Sequence, residues 1–335
     1  MKFRMTLVAE DLSEFVRHVR LADSLGFDVV VGDSQTAYRE LYVCLTLAAL
    51  NTKRAIIGPW VTNPVTRHPA VTASAVSSIE ELAPGRTVIG IGTGDSAVYN
   101  LGLKPTSIEE LDHYIRALRE LWDSGLTLYH GKTIRLTWAK RRIPVYIAAG
   151  GPKTLRYAGR HGDGVIVGTG LLPEVIHDTL EHIDAGAKES GRRVEDMDIW
   201  WLCKMNPSTS RKAATQEMKN SLAATANHSF RFSPEGKRLP PELLPAVRKL
   251  QENYVFHEHV KVGANKPNGV LLEELGLLKY MADRFLVGGT PDECVEQLRR
   301  IHAAGAKNLW LGVHMADKDT FMNTLAAKIA PQLPA

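Results

Sequence analysis

The chain repeats one pattern along its length: a short apolar run, a glycine-bearing loop, then an amphipathic helix. Residues 86–95 show it at its clearest. Thr87 to Ile91 is β-branched and apolar, follows a Pro84-Gly85 turn, and stops at Gly92-Thr93-Gly94-Asp95. Such runs suit strands buried on both faces, as in parallel sheets. A buried strand ending in a glycine loop with a carboxylate at its tip is an active-site layout in α/β proteins.

Read in order, the pattern predicts eight strands: Phe3–Val8, Phe27–Val31, Arg54–Trp60, Thr87–Ile91, Val145–Ala149, Gly164–Val167, Met197–Met205 and Asn308–Val313. Helices fall between them. Asp11 or Ser13 caps the first, Pro69 suits a first helical turn, and Ser107 with Glu110 has capping-box spacing. Leu126–Trp138 breaks the alternation as a hairpin turning at Tyr129-His130-Gly131-Lys132. Residues 228–283 are too long for plain loop and are expected to form a helical insertion before the eighth strand, over the mouth of the site. The predicted architecture is a (β/α)8 barrel forming a single domain of 335 residues. A two-domain α/β arrangement is the runner-up, and it requires a mid-chain linker that the sequence does not offer.

Composition excludes several classes. A net charge of +4 without a Lys/Arg stripe argues against nucleic-acid binding. No apolar run reaches membrane length, and nothing resembles a leader. Cys44, Cys203 and Cys294 are scattered, which fits a reducing compartment and a cytoplasmic protein. His68 has no second ligand at metal spacing, and neither a nucleophile elbow nor a zinc helix motif occurs.

The strand tips carry the candidate chemistry, since barrels place their sites there. Gly150-Gly151-Pro152-Lys153-Thr154 lies between a strand and a helix, where free amides receive phosphate; a tight turn wants the same glycines. Gly168-Thr169-Gly170 ends the next strand, and the two loops together point to one phosphate-bearing ligand. Gly92, Thr93 and Gly94 give a flat ligand backbone access. Asp95 either handles a proton or orients substrate, or it caps the next helix. Asp33 either accepts a bond from a cofactor ring or caps its helix, and Ser34 follows it. Glycine-lined tips with no protein nucleophile fit an enzyme whose chemistry belongs to an organic cofactor.

Four motifs, Val61–Pro69, Gly90–Asp95, Ala149–Thr154 and Leu286–Pro291, resemble the bacterial-luciferase-like superfamily of flavin- and deazaflavin-dependent barrels. They look most like its methylenetetrahydromethanopterin reductase branch. The resemblance implies a flavin-type ring at Asp33, Ser34, Trp60, Val61, Thr62 and Gly92–Gly94, and its phosphate at Gly150, Gly151, Pro152 and Lys153 with Gly168 and Thr169 adjacent. It implies a non-prolyl cis peptide at Trp60–Val61, although Trp60 stands where a small residue is expected. Asp95 matches an acidic catalytic position. Asp33 matches a ring-contacting carboxylate, but Ser34 replaces the histidine that follows it in sugar-phosphate dehydrogenases, so that chemistry is not carried over. The expected cofactor is coenzyme F420, used for hydride exchange with a small organic substrate. The alternatives are an FMN monooxygenase served by a separate flavin reductase, and a phosphate-binding barrel without turnover. A homodimer is expected from the family.

Overall fold

A computed structural model describes residues 1–33, 38–139, 141–232, 234, 236–259, 261–263 and 265–334. The chain divides into two compact units. One comprises Met5–Ala148 with His161–Val165, and the other Met1–Arg4, Ala149–Arg160 and Ile166–Ala335.

The first unit holds the second half of β1 (Lys2–Leu7), then α1 (Leu12–Ser24), β2 (Asp28–Val31), α2 (Leu41–Asn51), β3 (Ile57–Pro59), α3 (Pro69–Leu82), β4 (Ile89–Ile91), α4 (Ser96–Tyr99), α5 (Ile108–Asp123), the hairpin β5 (Leu126–Tyr129) and β6 (Lys132–Arg135), and β7 (Val145–Ala149), whose last residue lies in the other unit. Asp11 caps α1 by accepting the Glu14 amide, and Gly26 leaves the helix at φ +84°. The strands pair in parallel. Val29–Val31 of β2 faces Ile57–Pro59 of β3, and Ile89–Ile91 of β4 faces Val145–Ile147 of β7. Bridges Ile57–Thr87 and Thr62–Ile91 join β3 to β4. The antiparallel hairpin is where the sequence predicts it.

The second unit holds α6 (Pro152–His161), the end of β8 (Gly164–Val167), α7 (Pro173–Glu189), β9 (Asp198–Pro207), α8 (Arg211–Phe230), α9 (Leu244–Glu252), α10 (Pro267–Glu274), α11 (Leu278–Phe285), β10 (Leu286–Gly289), α12 (Pro291–Ala303), β11 (Asn308–Gly312) and α13 (Lys318–Thr324). The ten-residue β9 takes two parallel partners in succession. Trp200–Cys203 pairs with β11 and Lys204–Pro207 with β10. The sequence reading assigned no strand to Leu286–Gly289.

The segment before the eighth predicted strand is helical, as expected, and has a core of its own. Leu222, Phe230, Val247, Leu250, Leu272 and Phe285 pack together with Leu202 of β9. Each is at most 5% exposed. Burial of that many large side chains, at about 1.5–3 kcal/mol each, explains why a charged and proline-bearing stretch folds instead of remaining loop.

Candidate functional site

In the first unit, β3 runs into a cis peptide at Trp60–Val61, at the bond the resemblance indicated. Thr62 is fully buried. Its amide donates to Gly90 and its carbonyl accepts from Gly92, which stitches this turn to the tip of β4. The Trp60 ring sits 5.7 Å from that of Tyr146, tilted by 47°. In the loop after β4, a Cβ on Gly92 would come within 3.2 Å of the Ala148 Cβ. Gly94 adopts φ +110°, and a Cβ there would come within 2.6 Å of Val98. The Thr93 carbonyl accepts the Thr106 amide. Asp95 starts α4 through its carbonyl, while its side chain makes no capping bond and lies partly exposed. The helix-cap alternative for this carboxylate is therefore not what the structure shows.

The Asp33 side chain is 2% exposed and pairs with Arg67 at 3.4 Å. It does not cap α2, whose cap is Glu40. Arg67 also pairs with Glu40 and lies over the Tyr42 ring at 4.8 Å. Burial opposes the Arg67 charge, but Asp33, Tyr42 and Glu40 more than offset it and raise its pKa. Asp33 is thus a carboxylate with a fixed cation behind it, suited to accepting bonds. Ser34 lies outside the described residues.

In the second unit, the loop between β7 and α6 is shaped by Thr154. Its hydroxyl donates to the Gly151 carbonyl at 2.9 Å and accepts from the amides of Gly150 and Gly151 at 3.4 and 3.2 Å. Neither glycine has a positive φ. Among the described residues, a Cβ on Gly150 would meet nothing within 4 Å, and one on Gly151 would meet only the Lys237 Cε, at 3.9 Å. Chain geometry does not require glycine here, yet the space beside the backbone is open. Pro152 opens α6 and Lys153 is exposed. Amides at a helix start, open flanking space and nearby cations fit a phosphate-bearing ligand.

Lys237 was not identified from the sequence. It is 9% exposed and its Nζ donates to the Ser229 carbonyl at 2.7 Å. Gly168 also has open space where a Cβ would be, and its carbonyl accepts the Ser229 hydroxyl at 3.1 Å. The Thr169 hydroxyl is engaged by Thr179 at 2.9 Å, so this residue offers a ligand its backbone more than its side chain. Arg284 ties these pieces together. It is 1% exposed and donates to the carbonyls of Thr169, Lys237 and Arg238 and to the Tyr280 hydroxyl.

Lys204 and His314 also went unnoticed in the sequence. Lys204 is 8% exposed, and among the described residues its ammonium has no hydrogen-bond or ion-pair partner. Its Nζ and the His314 ring edge both lie 3.1 Å from the point where a Gly312 Cβ would be. Burial lowers the Lys204 pKa to about 8. Burial, then the Lys204 charge, push His314 down to about 3. At neutral pH this gives a cation without a partner among the described residues beside an uncharged imidazole. Such a pairing is common where ligands bind. In one dimension the only signal was a lysine inside an otherwise apolar strand.

The luciferase-like monooxygenase family model matches residues 2–308, and the chain belongs to that family. It is 29% identical to the 5,10-methylenetetrahydromethanopterin reductase of Archaeoglobus fulgidus, over 99% of this chain and 100% of that one. It is 29% identical to the F420-dependent glucose-6-phosphate dehydrogenase of Intrasporangium calvum, over 96% and 94% of the two chains. The solved coenzyme F420-dependent tetrahydromethanopterin reductase of Methanopyrus kandleri superposes with a TM-score of 0.78 at 22% identity, over 99% of each chain. That likeness shows the fold, and the predicted α/β (β/α)8 class is the one observed.

Proposed function

We propose that this protein is an F420-dependent oxidoreductase acting on a small organic substrate, with the whole chain working as one domain. The observation that carries the proposal is the loop at Gly150 and Gly151, whose glycines leave room beside the backbone at the start of α6. Relatives whose names include that coenzyme support the choice of cofactor.

When bound, the cofactor supplies a hydride-exchanging ring and a phosphate-bearing tail. We assign the phosphate to Gly150, Gly151, Pro152 and Lys153, with Gly168, Thr169 and Lys237 nearby. We assign the ring to Trp60, Val61, Thr62, Gly92, Thr93 and Gly94, with Asp33 and Ser34. Asp33, backed by Arg67, accepts a hydrogen bond and orients what it holds. Asp95, uncommitted to a cap, exchanges the proton that accompanies the hydride. Lys204 and His314 face the substrate: the ammonium attracts an anionic or electron-rich group, and the neutral imidazole gives or accepts a bond.

Titrating the purified protein with F420 and with FMN, read by fluorescence, tests the reading. Saturable F420 binding with little FMN binding is expected. Tight FMN binding with none for F420 overturns it in favour of the second reading, an FMN monooxygenase fed by a separate flavin reductase. The family's monooxygenase description favours that alternative.

We also propose a homodimer. Val43 and Leu50 of α2 and Val71 and Leu82 of α3 are 45–63% exposed, and pairing with a second copy would cover them. Light scattering should give twice the mass of the chain, and Leu50→Glu should lower it. Among the described residues no helix is long and apolar enough to cross a membrane. The three cysteines are free and buried, which suits the cytoplasm.

A further inference from the structure

We infer that Glu110, His113 and His130 form a binding site for a zinc-type divalent cation, separate from the cofactor residues. Glu110 and His113 stand one turn apart on α5 and share a face. His130 sits in the turn between β5 and β6, at φ +46°, followed by Gly131 at φ +72°. That two-residue turn ordinarily favours Asn, Asp or Gly at its first position. One ligand atom from each of the three residues lies within 4.8 Å of the others.

Glu110 joins the two rings. Its Oε1 is 3.0 Å from His130 Nε2 and accepts the Tyr129 hydroxyl at 2.6 Å, while its Oε2 lies 3.9 Å from His113 Nδ1. The capping box expected at Ser107 is therefore half made. Ser107 accepts the Glu110 amide, but the Glu110 side chain is spent on Tyr129 and His130.

Two imidazoles and one carboxylate suit zinc better than calcium or magnesium, which prefer all-oxygen shells. Neighbouring ligand atoms around tetrahedral zinc stand about 3.3 Å apart. Binding therefore draws the histidines inward, which the 58%-exposed His130 side chain can follow. Tyr129 holds the carboxylate from outside and fixes its orientation. Three protein ligands leave a fourth position for water. The ion would pin the hairpin to α5.

The test uses the full chain after chelator treatment. Titration with zinc by calorimetry, and with cobalt read by visible absorption, should show one saturable equivalent. Cobalt should give the intense bands of a four- or five-coordinate site. His130→Ala and Glu110→Gln should abolish those bands, and Tyr129→Phe should weaken binding about tenfold. His130→Ala should leave circular dichroism and F420 titration unchanged, since its side chain is exposed and outside the proposed cofactor residues. No saturable binding at millimolar metal overturns the inference. So does full-affinity binding by the His113→Ala/His130→Ala double variant, because the ion would then sit on other residues.

Discussion

The loops Gly92–Asp95 and Gly150–Thr154 look alike in the sequence, yet their glycines are there for opposite reasons. In the first, Ala148 presses on Gly92, and Gly94 combines a positive φ with Val98 at its back. In the second, backbone angles are ordinary and the space beside Gly150 is empty. A glycine that its neighbours require reports on the fold. A glycine that nothing in the protein requires reports on something that arrives from outside. The first loop offers a carboxylate and a backbone fixed by packing; the second offers room beside its backbone.

Substitution separates the two cases. Gly151→Val should produce the largest effect, cutting cofactor affinity about a hundredfold, or roughly 2.7 kcal/mol, with little change in melting temperature. Unchanged affinity would remove this loop from the site. Gly94→Ala should do the reverse, destabilising the fold by roughly 2 kcal/mol through backbone strain and the Val98 contact. Denaturant unfolding measures this, and a neutral result would erase the contrast between the loops. Lys237→Met should weaken cofactor binding about tenfold, roughly 1.4 kcal/mol, and should flatten its salt dependence. Equal loss at every ionic strength would show that the side chain packs without contributing charge.

The smallest effect extends the same logic to a titrating group. The folded-state pKa of His314, about 3, lies below its ordinary 6.5. Between those values the unfolded chain binds more protons, so stability should rise with pH across that window and level off above it. His314→Asn should flatten the slope there. A slope identical in both proteins would show that other groups set it.

Local pattern made much of the fold legible. β8 falls on the residues read from sequence, because the apolar run is bounded by glycine at both ends. β10 escaped notice because Leu286–Gly289 is only four residues long and half glycine, and its partner is the far end of β9. In the site, the turn at Trp60–Val61 was indicated by family motif, not by any local preference. Lys237, Arg284, Lys204 and His314 stayed hidden for one reason. Their meaning lies in which carbonyl, ring or empty space they face, and residues 61–115 positions away supply those neighbours for Ser229 and Arg284. Asp33 showed the converse: its carboxylate was visible, but its Arg67 counter-ion was not. Glu110 was recognised as half of a cap, and no one-dimensional rule connects it to a hairpin tip.

Arg284 has an architectural consequence. A single planar side chain rivets the tip after β8 to the start of the stretch at Lys237 and Arg238, while its own backbone closes that stretch. Everything threaded between residues 239 and 283 hangs from two clasped ends. Between those ends it is not loose, since Leu250 and Leu272 dock it onto Leu222 of α8, so a change in its length would be felt in the helix beneath.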